Sequence, residues 1–286
     1  MRVAYLGPRG TFTEDALAQA TAGWPELEAV PAPSVYAAIA AVEAGEADRA
    51  FVPYENSIEG SVRPTLDTLA FDVSGVAIVG EHDLSVTQSL IARGELQLEE
   101  IEVVISHPQG TAQCARFLRE SLPHAEVRTA PSTAEAVRIV SESERSWAAL
   151  GAASAAGLYG CVVLREGVHD EAENVTRFVW IAREGTEPQG SGPWRTTLVF
   201  SELGEDKPGA LVEALAAFSE RGVNLTRIES RPRRSGLGRY LFFVDCEGAL
   251  EEPGVAAAVE ALRDHAESVR ILGSYPIGGS PAAAER

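Results

Sequence analysis

The chain has 286 residues, 45% of them hydrophobic and 23% charged, a globular balance with apolar material for about two domains. It carries 42 acidic and 24 basic side chains, a net charge of −18, so its surface repels phosphate backbones and nucleic acid is not expected as a partner. Cys114, Cys161 and Cys246 are odd in number and far apart, without disulfide or metal-ligand spacing. No apolar run is long enough for a signal peptide or a membrane span, so the sequence reads as cytoplasmic.

In chain order, residues 3–6 form a buried strand ended by Gly7-Pro8. Arg9-Gly10-Thr11-Phe12-Thr13 then leads into an alanine-rich helix from Ala16 that Thr11 or Thr13 can cap, and such a strand–loop–helix start can also offer N–H groups to an anion. A helix over 35–44 leads to a strand at 50–52. Beyond that strand stands Pro53-Tyr54-Glu55-Asn56-Ser57-Ile58-Glu59-Gly60-Ser61, rich in hydrogen-bonding side chains where α/β proteins place ligands; the plain alternative is a turn of backbone-capping residues. A short helix includes 66–69. Strands follow at 76–81, 86–92 and 103–105, the last running into Ser106-His107-Pro108-Gln109-Gly110. An amphipathic helix over 111–122 carries Gln113 and Cys114. His107 has no second ligand at metal spacing and reads as structural. A helix at 133–141, a strand at 148–151 and a helix at 152–158 complete an alternation that implies largely parallel sheets flanked by helices.

Asn174-Val175-Thr176-Arg177-Phe178 places a hydroxyl beside a guanidinium at the start of a strand-like run. The glycine- and proline-rich stretch 185–193 is a linker. Beyond it lie a strand (196–201), a helix (210–221) opened by Pro208-Gly209, strands at 223–229 and 240–245, a helix (255–265) and a last strand (269–273). This βαββαβ order is ferredoxin-like. Residues 281–286 read as a disordered tail.

These residues bear a resemblance. Thr176-Arg177-Phe178, with Tyr159 and Asp170 upstream, resembles the first prephenate dehydratase signature. Leu225-Thr226-Arg227-Ile228-Glu229-Ser230-Arg231-Pro232 resembles the second, in the regulatory ACT domain of those enzymes. Gly7-Pro8-Arg9-Gly10-Thr11-Phe12, Pro53-Tyr54-Glu55-Asn56-Ser57, Ser106-His107-Pro108-Gln109 and Gly209-Ala210-Leu211-Val212 match further family motifs in the family's order, over residues 1 to about 277. Two departures are Cys161, where an aliphatic residue is usual, and Arg9, where an acid is common. The resemblance implies a catalytic part over 1–182 made of two α/β subdomains (about 1–76 with 172–182, and 77–171) similar to type 2 periplasmic binding proteins. It further implies an ACT domain over 195–275, a tail over 276–286, and a homodimer or tetramer inhibited by phenylalanine.

Prephenate carries two carboxylates and a ring hydroxyl. Losing the hydroxyl with the ring carboxylate gives phenylpyruvate, CO2 and water, and aromatisation drives the reaction, so no cofactor or metal is expected. Thr176 suits hydrogen-bond donation to the leaving oxygen. Arg177 offers a fork for a carboxylate or pairs with an acid of the fold; the acidity of the chain favours the substrate. Phe178 is expected in the core beneath the site, and Glu55 in a structural role. Thr11, Asn56, Ser57, Ser106 and Gln113 are the neutral donors expected around the carboxylates. For phenylalanine, Gly209 and Ala210 supply helix N–H groups, Leu211, Val212 and Leu225 an apolar edge, Asn224 a polar contact, and Glu229, Ser230, Arg231 and Pro232 the end of the neighbouring strand. Arogenate dehydratase shares the ring chemistry. A non-catalytic small-molecule sensor or a non-aromatising decarboxylase would have no use for the intact Thr176-Arg177-Phe178.

Overall fold

The computed structural model describes residues 1–204 and 207–278. The first lobe contains β1 (Arg2–Leu6), α1 (Phe12–Ala20), β2 (Glu28–Ala32), α2 (Val35–Ala44), β3 (Arg49–Asn56), β4 (Gly60–Ser61), α3 (Arg63–Asp67) continued by a π turn (Thr68–Asp72), and β5 (Val76–Ser85). The chain then builds the second lobe from β6 (Ser89–Ala92), β7 (Val103–Ser106), α4 (Pro108–Gln113), α5 (Ala115–Ser121), β8 (Glu126–Thr129), α6 (Thr133–Ser141), β9 (Trp147–Gly151), α7 (Ala153–Tyr159) and β10 (Val162–Arg165). It returns to the first lobe as β11 (Val175–Arg183).

The first sheet has the order β2-β1-β3-β11-β5, with β4 on β3; the second has β10-β6-β9-β7-β8. Neither is as parallel as the alternation of elements implies. β11 runs antiparallel to both β3 and β5, and β6 runs antiparallel to β9 and β10. β11 enters its sheet directly from the other lobe, without the crossover helix that a parallel neighbour needs. The expected boundary at residue 77 also moves. β5 pairs with β11 from Val76↔Arg183 to Ser85↔Val175, so 77–85 belongs to the first lobe and the chain crosses over at 86–88.

Local chemistry sets the helix starts. Thr11, Ser34 and Ser132 cap α1, α2 and α6 by accepting from the N–H groups of Glu14, Ala37 and Glu135. The edge strands β2, β8 and β10 have no counterpart in the sequence reading, and β2 and β8 are mostly exposed and lack a buried apolar stripe.

The third unit is the expected βαββαβ domain: β12 (Trp194–Ser201), α8 (Ala210–Ser219), β13 (Leu225–Pro232), β14 (Tyr240–Glu247), α9 (Pro253–Arg263) and β15 (Ser268–Pro276), in sheet order β13-β14-β12-β15. One sheet face packs Leu198, Phe200 and Val244 against Ala214, Phe218 and Val259 of the two helices. The other face is not solvated. Val199, Leu241, Phe243, Leu272 and Tyr275 share one continuous core with Ile39, Val52 and Val179 of the first lobe. The approach is close enough that a Cβ at Gly273 would collide with Ile78. Of the tail expected over 276–286, Pro276 ends β15, and 279–286 lie outside the described residues.

Candidate active site

The site is built on the pairing of β3 with β11. Along β11 the side chains alternate: Phe178 and Trp180 enter the core under α1, Val179 and Ile181 the core under α2. Thr176 therefore shares the face of Phe178, and Arg177 the opposite one. On β3 the alternation is broken. Arg177 pairs with Glu55 but Phe178 pairs with Pro53, so Tyr54 is an extra, bulged residue. Ala50, Val52 and Tyr54 lie on the α2 face; the bulge puts Glu55 there too and turns Asn56 to the face of Thr176, its direct partner.

On that face Asn56 Nδ2 donates to Thr176 Oγ1 at 2.9 Å and to Asn174 Oδ1 at 2.7 Å, while Asn56 Oδ1 accepts from the N–H groups of Ile58 and Glu59. Thr176 is 8% exposed. Its oxygen is occupied as an acceptor and its own proton has no acceptor among the described residues, so the hydroxyl is a donor held ready at the strand's end. Between the lobes lies a cavity of about 160 Å³ lined by Ile58, Glu59, Gln113, His169 and Asn174, among others. Gln113 reaches it from the second lobe with Oε1 accepting from Gln88 Nε2 at 3.1 Å; its Nε2 has no partner among the described residues.

The other expected donors are spoken for. Asn56 spends its amide as described. Ser57 Oγ donates to the Glu173 carbonyl and accepts from Val175 N–H, stapling the loop to β11 rather than facing the cleft. Ser106 is fully buried and donates to the Leu150 carbonyl at 3.0 Å. Thr11 donates to the Pro8 carbonyl while capping α1. The sequence shows that these side chains are polar and near strand ends; it does not show that backbone groups of the turns claim them first. His107 has the structural role expected of it, accepting from Gln109 N–H at the start of α4.

Arg177 stands away from the cleft, which corrects its expected role as a substrate fork. Its guanidinium, 8% exposed, donates to Glu55 Oε2 (2.6 Å), to Asp245 Oδ2 on β14 (2.8 Å) and to Glu81 Oε2 (3.5 Å), and lies over the Tyr54 ring. Strand alternation is the reason: a residue next to Thr176 must face the other way. Arg227 of β13 joins the same cluster, donating to Asp245 at 3.0 Å, to Ser61 and to the Tyr54 hydroxyl. Burial pushes the Asp245 carboxyl up, but Arg227 and Arg177 outweigh it and hold it below its ordinary value. For Glu81 burial wins over Arg177 and raises it to about 7. Phe178 is buried and stacks on Phe51 at 5.2 Å, beneath the site as expected.

In the third unit the expected effector residues divide. Gly209 adopts φ +89° at the start of α8 and, with Ala210, Leu211 and Val212, lines a cavity of about 280 Å³ closed by Leu203, Tyr240 and Phe242. Asn224 and Leu225 line a different cavity of about 460 Å³, with Val212 between the two. The single pocket edged by Leu211, Val212 and Leu225 is thus two within one chain. Glu229, Ser230, Arg231 and Pro232 lie on β13 and line neither. Arg231 is turned to the first lobe, where it holds Asp67 by paired bonds of 2.8–3.0 Å, and is not free for an effector. Ile228 and Ser230, on the alternate face, are exposed.

Fold and site together define a two-lobed α/β enzyme with a regulatory domain packed on its first lobe. The chain belongs to the prephenate dehydratase family, which matches residues 3–186, and an ACT domain follows over 199–264. It is 44% identical to the prephenate dehydratase of Mycobacterium tuberculosis H37Rv, over 99% of this chain and 88% of that one. Among solved structures, a prephenate dehydratase of Arthrobacter aurescens in complex with L-Phe is 39% identical with a TM-score of 0.89, covering 99% of this chain and 92% of that one. A protein described as a novel type of quorum quenching acylase is 33% identical with a TM-score of 0.84, covering 97% and 98%.

Proposed function

We propose that the inter-lobe cleft binds prephenate and converts it to phenylpyruvate, CO2 and water. The electron pair of the bond to the ring carboxylate becomes ring π-density as CO2 leaves, and the ring hydroxyl departs as hydroxide, which takes a proton from solvent to become water. The observation that carries this reading is the bond from Asn56 Nδ2 to Thr176 Oγ1, which leaves the threonine proton free to stabilise the departing oxygen. Gln113 Nε2 is the matching donor for a carboxylate on the opposite lobe. Acyl transfer, the chemistry named for one structural neighbour, is less well served: Thr176 has no histidine or carboxylate at its hydroxyl among the described residues to act as a base. Arogenate, with an amine for the side-chain keto group, fits the same ring chemistry.

L-phenylalanine is the proposed effector, bound at the ACT domain. A second copy of the chain is the natural cover for exposed Val212 and Tyr240, which line the two effector cavities, and for exposed Ile228 on β13, which makes the working form a homo-oligomer. A cytoplasmic location is supported by the three free cysteines, and among the described residues no helix is long and apolar enough to cross a membrane. The test is direct: purified protein with prephenate, followed by the ultraviolet absorbance of phenylpyruvate, with arogenate in parallel. Turnover of neither compound would refute the reading.

A further inference from the structure

Gln88 is 2% exposed and sits in the segment that crosses from the first lobe to the second. Its Nε2 donates to Gln113 Oε1 at 3.1 Å, and its Oε1 is buried without a partner. Both residues are anchored through their main chains: the Gln88 carbonyl accepts from Val168 N–H at 2.9 Å, and the Gln113 carbonyl from Asp170 N–H at 2.7 Å. At nearby Gly110 a Cβ would come 2.6 Å from Ser106 Oγ but only into ordinary contact, 3.7 Å, with Gln88 Nε2.

A glutamine can present either its oxygen or its NH2 to a ligand, and a carboxylate tolerates only the NH2. The Gln88 donor removes that choice by engaging the oxygen of Gln113. We propose that Gln88 is a positioning residue: without touching substrate, it holds the Gln113 carboxamide so that Nε2 faces the cleft and donates to a substrate carboxylate. This rests on the reading of the cleft as the prephenate site.

The experiment is the kinetics of Gln88→Glu and Gln88→Met with prephenate, beside wild type and with thermal midpoints measured. A carboxylate at position 88 can only accept. It draws the Gln113 NH2 towards itself and turns the Gln113 oxygen to the substrate. The expected result for Gln88→Glu at pH 8 is a KM raised at least tenfold with kcat changed less than threefold. Protonation restores the donor, so the KM ratio of variant to wild type falls towards one as pH is lowered to 6. Glu59, His169, Asp170 and Glu171 line the same cavity in variant and wild type alike, so the comparison is made as a ratio at each pH. Gln88→Met, which lacks a donor but fits the volume, raises KM by about three- to tenfold at an unchanged midpoint. It decides the matter if the glutamate variant fails to fold. A wild-type KM in either folded variant, or a loss confined to kcat, overturns the proposal. Absence of turnover in wild type would instead overturn the reading of the site, and the proposal with it.

Discussion

The Arg177 guanidinium lies 2.8 Å from the Asp245 carboxylate, so the strand that carries Thr176 is tied at the very next residue to the ACT domain. Asp245 is fully buried and accepts from Arg177, Arg227 and Thr197. Removing one partner of a buried cluster leaves the others uncompensated, at about 3–5 kcal/mol. Asp245→Asn is therefore expected to lower the thermal midpoint by roughly ten degrees. A shift under two degrees in a thermal melt would show that neighbouring acids take over the charge.

The Thr176 hydroxyl is expected to be worth about 10² to 10³ in kcat, the usual effect of one preorganised donor. Thr176→Ala should lose that much with the fold intact, and Thr176→Ser should keep part of it. Asn56→Asp separates donor from acceptor. An aspartate cannot donate to Thr176 Oγ1 and instead takes its proton, so kcat should fall as far as in Thr176→Ala. Wild-type kcat in Asn56→Asp would show that the threonine proton is not what the reaction uses.

Glu81 gives a pH signature. Folded, it keeps its proton to about pH 7; its ordinary value is 4.5. The folded state thus binds more protons between these values, and the stability Glu81 contributes is full below pH 4.5 and lost as pH rises through 7. Glu81→Gln fixes the neutral form. The midpoint of wild type relative to Glu81→Gln should fall between pH 5 and pH 8, by an amount corresponding to at most about 3 kcal/mol. A difference that is flat over this range in scanning calorimetry would place Glu81 ionised throughout.

Much of this architecture is legible in the sequence. The period of the helices, the order of elements and the linker mark an α/β part and a βαββαβ unit, the family resemblance adds the division into two lobes, and Phe178 falls in the core where its strand places it. What escapes the sequence is pairing. The Tyr54 bulge decides which way Asn56 points, and it depends on the register between β3 and β11, residues more than a hundred positions apart. The Arg177 partners are also remote in sequence: Glu81 becomes its neighbour only through the pairing of β5 with β11, and Asp245 only when the third sheet packs on the first. Alternation at 176–177 does hold a local clue, since two adjacent strand residues cannot both serve one cleft. Gln88 carries no motif, and only its bond to Gln113 marks it.

The effector response is the prediction with the most structural content. β13 has two working faces. Ile228 and Ser230 point outward, towards the side where the motif at 209–212 lies exposed, while Arg227 and Arg231 point inward to Tyr54, Ser61 and Asp67 of the catalytic lobe. If a ligand on the outward face shifts β13, the inward arginines connect that shift to the wall holding Asn56. L-phenylalanine is therefore expected to inhibit and to raise the thermal midpoint. Gly209→Val should raise the half-inhibitory concentration and reduce the thermal shift together, since it acts on binding; at Gly209 the φ of +89° rather than lack of space is the obstacle. Asp67→Ala should split the two: the thermal shift persists because the outward face is intact, while inhibition weakens about fivefold or more because the Arg231 link is cut. The full chain is the right material, since a chain ending near Gly185 would strip Val199, Leu241, Phe243, Leu272 and Tyr275 from the first-lobe core. Asp67→Ala with unchanged inhibition would show that the signal bypasses Arg231, and no midpoint change with millimolar phenylalanine would remove the effector altogether.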